Sequence, residues 1–160
     1  MALWRFGPVM AIGRPGESKP LTGAARLYVT NDEWQNRVDE LADEAAFIVM
    51  VLGTTEGFEW ELRQMIKKGR ANRTIMIFPP LESDDDRWRK LVPILDEHSF
   101  TIPTELVNDQ TVLAILLDYF NEPQVIVGES RSRDDYDIAL RWATLLSGDK
   151  TVTYGIDFQE

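Results

Sequence analysis

Residues 46–62, AFIVMVLGTTEGFEWEL, constrain this chain more than any other stretch. Residues 47–52 form an unbroken apolar run, the pattern of a central strand buried on both faces. Gly53 breaks the run, Thr54 and Thr55 follow, and beyond Gly57 the residues Phe58, Leu62, Met65 and Ile66 recur at helical spacing. Lys67, Lys68 and Gly69 close that helix with the basic residues and glycine that a helix C-terminus favours. A buried strand, a Gly/Thr turn and a helix start make up the unit with which α/β proteins hold small molecules, outside the carboxyl end of the strand.

The rest of the chain repeats this alternation. Residues 9–12 read as a short strand ended by Gly13, and residues 26–29 as a second strand. Thr30 and Glu33 have capping-box spacing ahead of a helix over residues 32–44 that carries Trp34, Val38 and Leu41. Residues 73–79 form the next strand, and Ser83 with three aspartates opens a helix with Trp88, Leu91, Val92 and Leu95 inside. Those aspartates read as charges favoured by the helix dipole rather than as a metal site. Residues 104–120 allow either a helix or half of a hairpin completed by 124–127, and the dense run 112–117 favours the hairpin. A last helix over residues 134–146 presents Tyr136, Ile138, Leu140, Trp142 and Leu145 for packing, and 151–158 alternates like an edge strand. Strands alternating with helices imply an α/β fold: one domain over residues 1–160, a mainly parallel sheet with helices on both faces.

Composition narrows the function classes. A formal net charge of −10 opposes nucleic acid and anionic membrane surfaces. With no Cys and one His, thiolate nucleophiles, Cys-ligated zinc and a Ser–His–Asp triad drop out, and no metal or other cofactor is expected. His98 reads as a capping or surface residue. No run approaches the roughly 18 apolar residues of a membrane span, so a cytoplasmic chain without membrane insertion is expected.

Glu61 is the candidate catalytic residue. At about 100° per residue it falls at the edge of the apolar helix face, with Gly57 one turn earlier leaving a slot beside the carboxylate. The alternative is an ordinary helix glutamate paired with Arg63 or Lys68. Trp60 points away from the apolar stripe, either covered by another element or marking a ligand or partner surface. Thr54 and Thr55 are N-caps whose hydroxyls and amides also suit a phosphate or ribose. The loop that begins Gly13-Arg14-Pro15-Gly16 is either a surface excursion or part of the site. In the second case Gly13 and Gly16 permit close backbone approach, and Arg14 is the cation for an anionic ligand.

A helix ending in Ala42-Asp43-Glu44-Ala45, a Gly-Thr-Thr turn, a helix reading Trp60-Glu61-Leu62 and a next strand ending in Pro79 together resemble the core of Toll/interleukin-1 receptor (TIR) domains. They are equally similar to the nucleoside 2-deoxyribosyltransferases. The resemblance covers residues 8–80. It implies a flavodoxin-like three-layer sandwich with a five-stranded parallel sheet in the order 2-1-3-4-5. It also implies a helix glutamate after the third strand, matched by Glu61, that acts at the N-glycosidic bond of NAD or a nucleoside. The first strand, VMAIGRPGE, departs from the family, which shows an aromatic-Asp-Phe-Ser start there. Residues 7–17 (GPVMAIGRPGE), residues 23–29 (GAARLYV) and the Gly-Thr-Thr to Trp-Glu-Leu segment also look similar to soluble domains of bacterial multi-pass membrane proteins, which implies the cytosolic domain of a membrane protein. A small-molecule nucleotide or nucleoside, and a homo-oligomer, are the partners implied. A non-catalytic signalling or ligand-sensing module is the competing expectation.

Overall fold

A computed structural model describes residues 8–13, 25–28, 30, 33–80, 84–117 and 122–147. The elements in chain order are β1 (Met10–Gly13), β2 (Ala25–Tyr28), α1 (Trp34–Glu44), β3 (Ile48–Val51), α2 (Glu56–Lys67), β4 (Thr74–Ile77), α3 (Asp85–Glu97), β5 (Val112–Leu116), β6 (Gln124–Val127) and α4 (Arg133–Leu146). The expected strand over 151–158 lies outside the described residues.

The α/β alternation is present, but the sheet is mixed. β1 and β2 pair in parallel as a two-stranded sheet, and β3-β4-β5-β6 form a four-stranded one. Within it β3 and β4 are parallel, whereas β4–β5 and β5–β6 are antiparallel. The single five-stranded parallel sheet in the order 2-1-3-4-5 is therefore not the observed arrangement. Two features of the chain account for this. The hairpin reading of 112–127 holds, and a hairpin is antiparallel by construction. Ahead of it, α3 starts where β4 ends, yet Phe78 donates to the Leu113 carbonyl, so β5 also starts beside the end of β4. Segment 99–111 carries the chain back along the length of α3, pinned by buried Phe100 and Ile102 and by the half-buried Leu106 and Val107.

Successive strand residues point to opposite faces, and two clusters follow. Met50, Met76, Phe78 and Ile115 pack beneath α1, α2 and α3 with Phe58, Leu62, Trp88 and Leu95. Ile75, Ile77, Ala114 and Leu116 face the other way onto Tyr136, Ala139, Leu140 and Ala143 of α4. Helices thus lie on both faces, three on one and one on the other. β4 and β5 are buried along their whole length. β3, expected at the centre, is an edge strand of the four-stranded sheet, and Val51 is 53% exposed.

Two helices depart in detail from the sequence reading. α1 starts at Trp34 with Glu33 as its cap residue and no side-chain cap. The Thr30 carbonyl accepts the Glu33 and Trp34 amides, while the Thr30 hydroxyl donates to the Glu33 carboxylate, so no capping box forms. α4 buries Tyr136 and Leu140 as expected, but its sheet-facing stripe is completed by Ala139 and Ala143, leaving Ile138, Trp142 and Leu145 41–55% exposed. Small residues let the helix sit close to the sheet, and the larger apolar side chains then project outward.

Candidate functional site

Folding alone explains most of the turn after β3. Leu52 donates to the Ile77 carbonyl, continuing the sheet ladder by one residue. Thr55 is the N-cap of α2, accepting the Phe58 amide at 3.3 Å, and Thr54 is exposed. Glu56 and Glu59 occupy the first turn, so the positive end of the helix dipole already faces carboxylates of its own chain. Lys90 of α3 holds Glu59 at 2.6 Å. An added Cβ at Gly53 would lie 3.4 Å from the Phe58 Cβ, a contact that alanine could also make.

The neighbours of Glu61 follow from the helix period. Gly57, Glu61, Gln64 and Lys68 fall on one line along α2, and that line faces α1. Lys68 donates to Asp39 of α1 at 2.6 Å, and a Cβ on Gly57 would lie 3.9 Å from Cη2 of Trp34. The slot expected beside Glu61 is therefore walled by Trp34. The same indole meets Trp60 edge to face, with centroids 4.9 Å apart and planes at 71°. Trp60 thus packs on an element other than its own helix and stays half-buried. Glu61 itself is half-buried in the α1–α2 seam. Arg63 and Lys68, the two cations considered for it, go elsewhere: Arg63 to Glu97 on α3 and Lys68 to Asp39.

Deeper in the seam, Arg70 is 2% exposed and binds Asp39 at 2.9 Å and Asp43 at 2.5 Å. Burial works to lower the pKa of Arg70, but its bonds to Asp39 and Asp43 outweigh that, and the net shift is upward. Asp39 is held below the usual carboxylate range, first by its bond from Lys68 and against the opposing effect of burial. This network fastens α1 to the end of α2.

Of the remaining predicted site residues, Gly13 ends β1 and is paired with Tyr28, in a sheet that has no ladder to β3 among the described residues. Arg14 and Gly16 lie outside the described residues. Among those described, a different cation reaches the Gly53 turn: Arg87 of α3 donates to the Leu52 carbonyl at 3.0 Å. Its spacing of three from Asp84 is visible in the sequence, but nothing there signals that it reaches back to β3.

A second polar centre was not foreseen. Asp84, at the cap of α3, is fully buried and forms an ion pair with Arg131, which precedes α4. The same guanidinium donates to the carbonyls of Pro79 and Gln110 at 3.0 Å and of Val112 at 3.2 Å. Beside it the Tyr136 hydroxyl donates to the Phe78 carbonyl at 2.6 Å, and burial raises the Tyr136 pKa. Asp84 Oδ1 and Trp88 Nε1 are buried without a hydrogen-bond partner. The cluster ties the end of β4, the start of β5 and the N-termini of α3 and α4 together. These bonds of Arg131 run to the chain's own carbonyls and carboxylate, which makes the guanidinium a clamp between the elements.

An open groove of about 440 Å³ lies between α4 and β6, lined by Leu113, Ile126, Val127, Ile138 and Trp142 among others. At its end Gly128 lets the backbone approach Leu113, whose Cδ1 would lie 2.5 Å from an added Cβ.

Comparison with protein-family models, curated proteins and solved structures gives no match for this chain. Among the described residues no group of three or more His, Asp or Glu side chains is placed to hold a metal ion, and no helix is long and apolar enough to cross a membrane.

Proposed function

We propose that this chain is a ligand-sensing module whose α1–α2 seam takes a planar heteroaromatic ligand of the nucleoside class. The observation that supports this reading is the Trp34–Trp60 pair, partly exposed beside Gly57, with Glu61 one turn further along the same helix. Stacking on such rings contributes about 1–3 kcal/mol per base. A half-buried carboxylate accepts hydrogen bonds from ribose hydroxyls, as charge-assisted pairs that are stronger than neutral ones. Glu56 and Glu59 at the start of α2 repel phosphate, which favours a nucleoside over a nucleotide.

Cleavage of the N-glycosidic bond is the second reading. It rests on the resemblance to TIR domains and deoxyribosyltransferases and on the half-buried position of Glu61. A carboxylate beside the anomeric carbon would stabilise the positive charge that develops there.

One experiment separates the two. Adenosine and NAD are titrated against tryptophan fluorescence, and the same mixtures are assayed for free base. Saturable quenching by adenosine that is lost in Trp60→Ala, with the nucleoside recovered intact, supports sensing. Release of base that disappears in Glu61→Gln, at an unchanged melting temperature, supports cleavage. No fluorescence change and no product with either compound overturns both.

A further inference from the structure

We propose that two copies of this chain associate through α4, packed antiparallel about a two-fold axis. The surface lies on the opposite face of the sheet from the α1–α2 seam and stands independently of any ligand there. At 100° per residue Asp134, Ile138, Arg141, Trp142 and Leu145 share one helix face about 100° wide. All five are exposed, and the three apolar ones are 41–55% so. The patch continues over the groove to Val127 of β6, itself 54% exposed. β6 is an end strand of the four-stranded sheet, and its sequence QVIV carries none of the charges that usually guard an edge.

The two charges within the stripe indicate a second copy as the occupant. Asp134 and Arg141 make no ion pair among the described residues. They stand seven positions apart, the acid toward the N-terminal end of the helix and the base toward the C-terminal end. Antiparallel two-fold packing with the axis near Ile138 sets each Asp134 against the Arg141 of the other copy, twice per dimer, and brings the two Ile138 side chains together. One helix face is smaller than the roughly 800 Å² per partner of a standard interface, so the association is weak and concentration-dependent. The charge of −10 on each copy opposes it at low salt, and the Debye length of about 8 Å at physiological ionic strength removes most of that repulsion.

Sedimentation equilibrium of the full chain in physiological salt, from micromolar to millimolar concentration, tests the proposal. The expected result is a monomer–dimer equilibrium whose dissociation constant rises at least about tenfold in Ile138→Asp. Asp134→Arg and Arg141→Asp each weaken it, and the double exchange restores it. These are surface changes, and a circular dichroism melt of each variant confirms folding. A chain that stays monomeric at millimolar concentration overturns the proposal, since something other than a second copy then covers the stripe. A dimer indifferent to Ile138→Asp, or not restored by the double exchange, overturns it equally.

Discussion

At the scale of single residues, Asp84 is the most exacting position. Its carboxylate is fully buried, and Arg131 is the cation bonded to it. Removing that cation leaves the buried charge facing only Arg87, 3.8 Å from Oδ1, and it also strips donors from the carbonyls of Pro79, Gln110 and Val112. Arg131→Met is therefore expected to cost about 3–5 kcal/mol. Asp84→Asn keeps an acceptor for Arg131 and buries no net negative charge, so its cost should be about 1–3 kcal/mol. Urea denaturation of both variants checks the order. If Asp84→Asn proves the more damaging, the guanidinium is held mainly by the carboxylate and the carbonyls matter little. None of this was legible in the sequence, where Asp84 stands among three aspartates ahead of a helix and Arg131 is 47 positions away. By contrast Phe58, Leu62 and Met65 were readable, because a helix of period 3.6 shows its buried face in the order of its residues.

At the scale of elements, the boundaries that followed local chemistry were legible and the strand directions only in part. α2 and α3 end in the same way. In α2 the Gly69 and Arg70 amides donate to the Ile66 and Met65 carbonyls, and in α3 the Ser99 and Phe100 amides donate to those of Asp96 and Leu95. This is a Schellman motif in both helices, and it needs a residue at positive φ. Gly69 supplies φ 70° at no steric cost, whereas Ser99 adopts φ 64° against the preference of an L side chain. Ser99→Gly should therefore stabilise the chain by roughly 0.5–1 kcal/mol, and Gly69→Ala should destabilise it by a similar amount. Calorimetric melts of the two variants should move in opposite directions. A fall in both would mean that the Ser99 side chain makes compensating contacts in the turn. The glycine cap was visible beforehand because Gly69 announces itself, and the serine cap was not. The hairpin of β5 and β6 is likewise visible, and because β6 runs antiparallel to β5 it excludes a wholly parallel sheet. The outward stripe of α4 escaped for a further reason. Both of its faces are apolar, and only the tertiary contact decides that the alanines go inside.

At the scale of the whole molecule, two electrostatic effects oppose each other as pH changes. The excess of acidic groups, net −10 at neutral pH, repels itself, and that repulsion fades as pH falls toward the sequence pI near 4.6. Against it stand carboxylates that the fold holds ionised. Asp39 is lowered chiefly by its bond from Lys68, Asp109 by the Thr111 amide and hydroxyl, and Asp135 by the Ser130 and Ser132 hydroxyls. Each has a folded-state pKa below its unfolded value. In the interval between those two values the unfolded chain binds more protons than the folded one, so stability falls as pH falls. Their contribution is complete above the ordinary aspartate value of about 4 and is lost below it as pH passes through the folded values. Stability should thus be highest on the mildly acidic side of neutrality and drop steeply under pH 4. Asp39→Asn isolates one part of that limb. At pH 7 it should cost roughly 1 kcal/mol, because Asp39 is still a quarter exposed and Asp43 continues to hold Arg70. As pH falls from about 4 through the lowered folded value the variant and the parent should converge, since the parent's Asp39 then becomes protonated and its bonds weaken. Urea midpoints measured from pH 2 to 8 give the difference directly. A gap that stays constant across that range would mean that the Asn variant loses packing rather than charge, and the seam between α1 and α2 would then be held by shape instead of by its ion pairs.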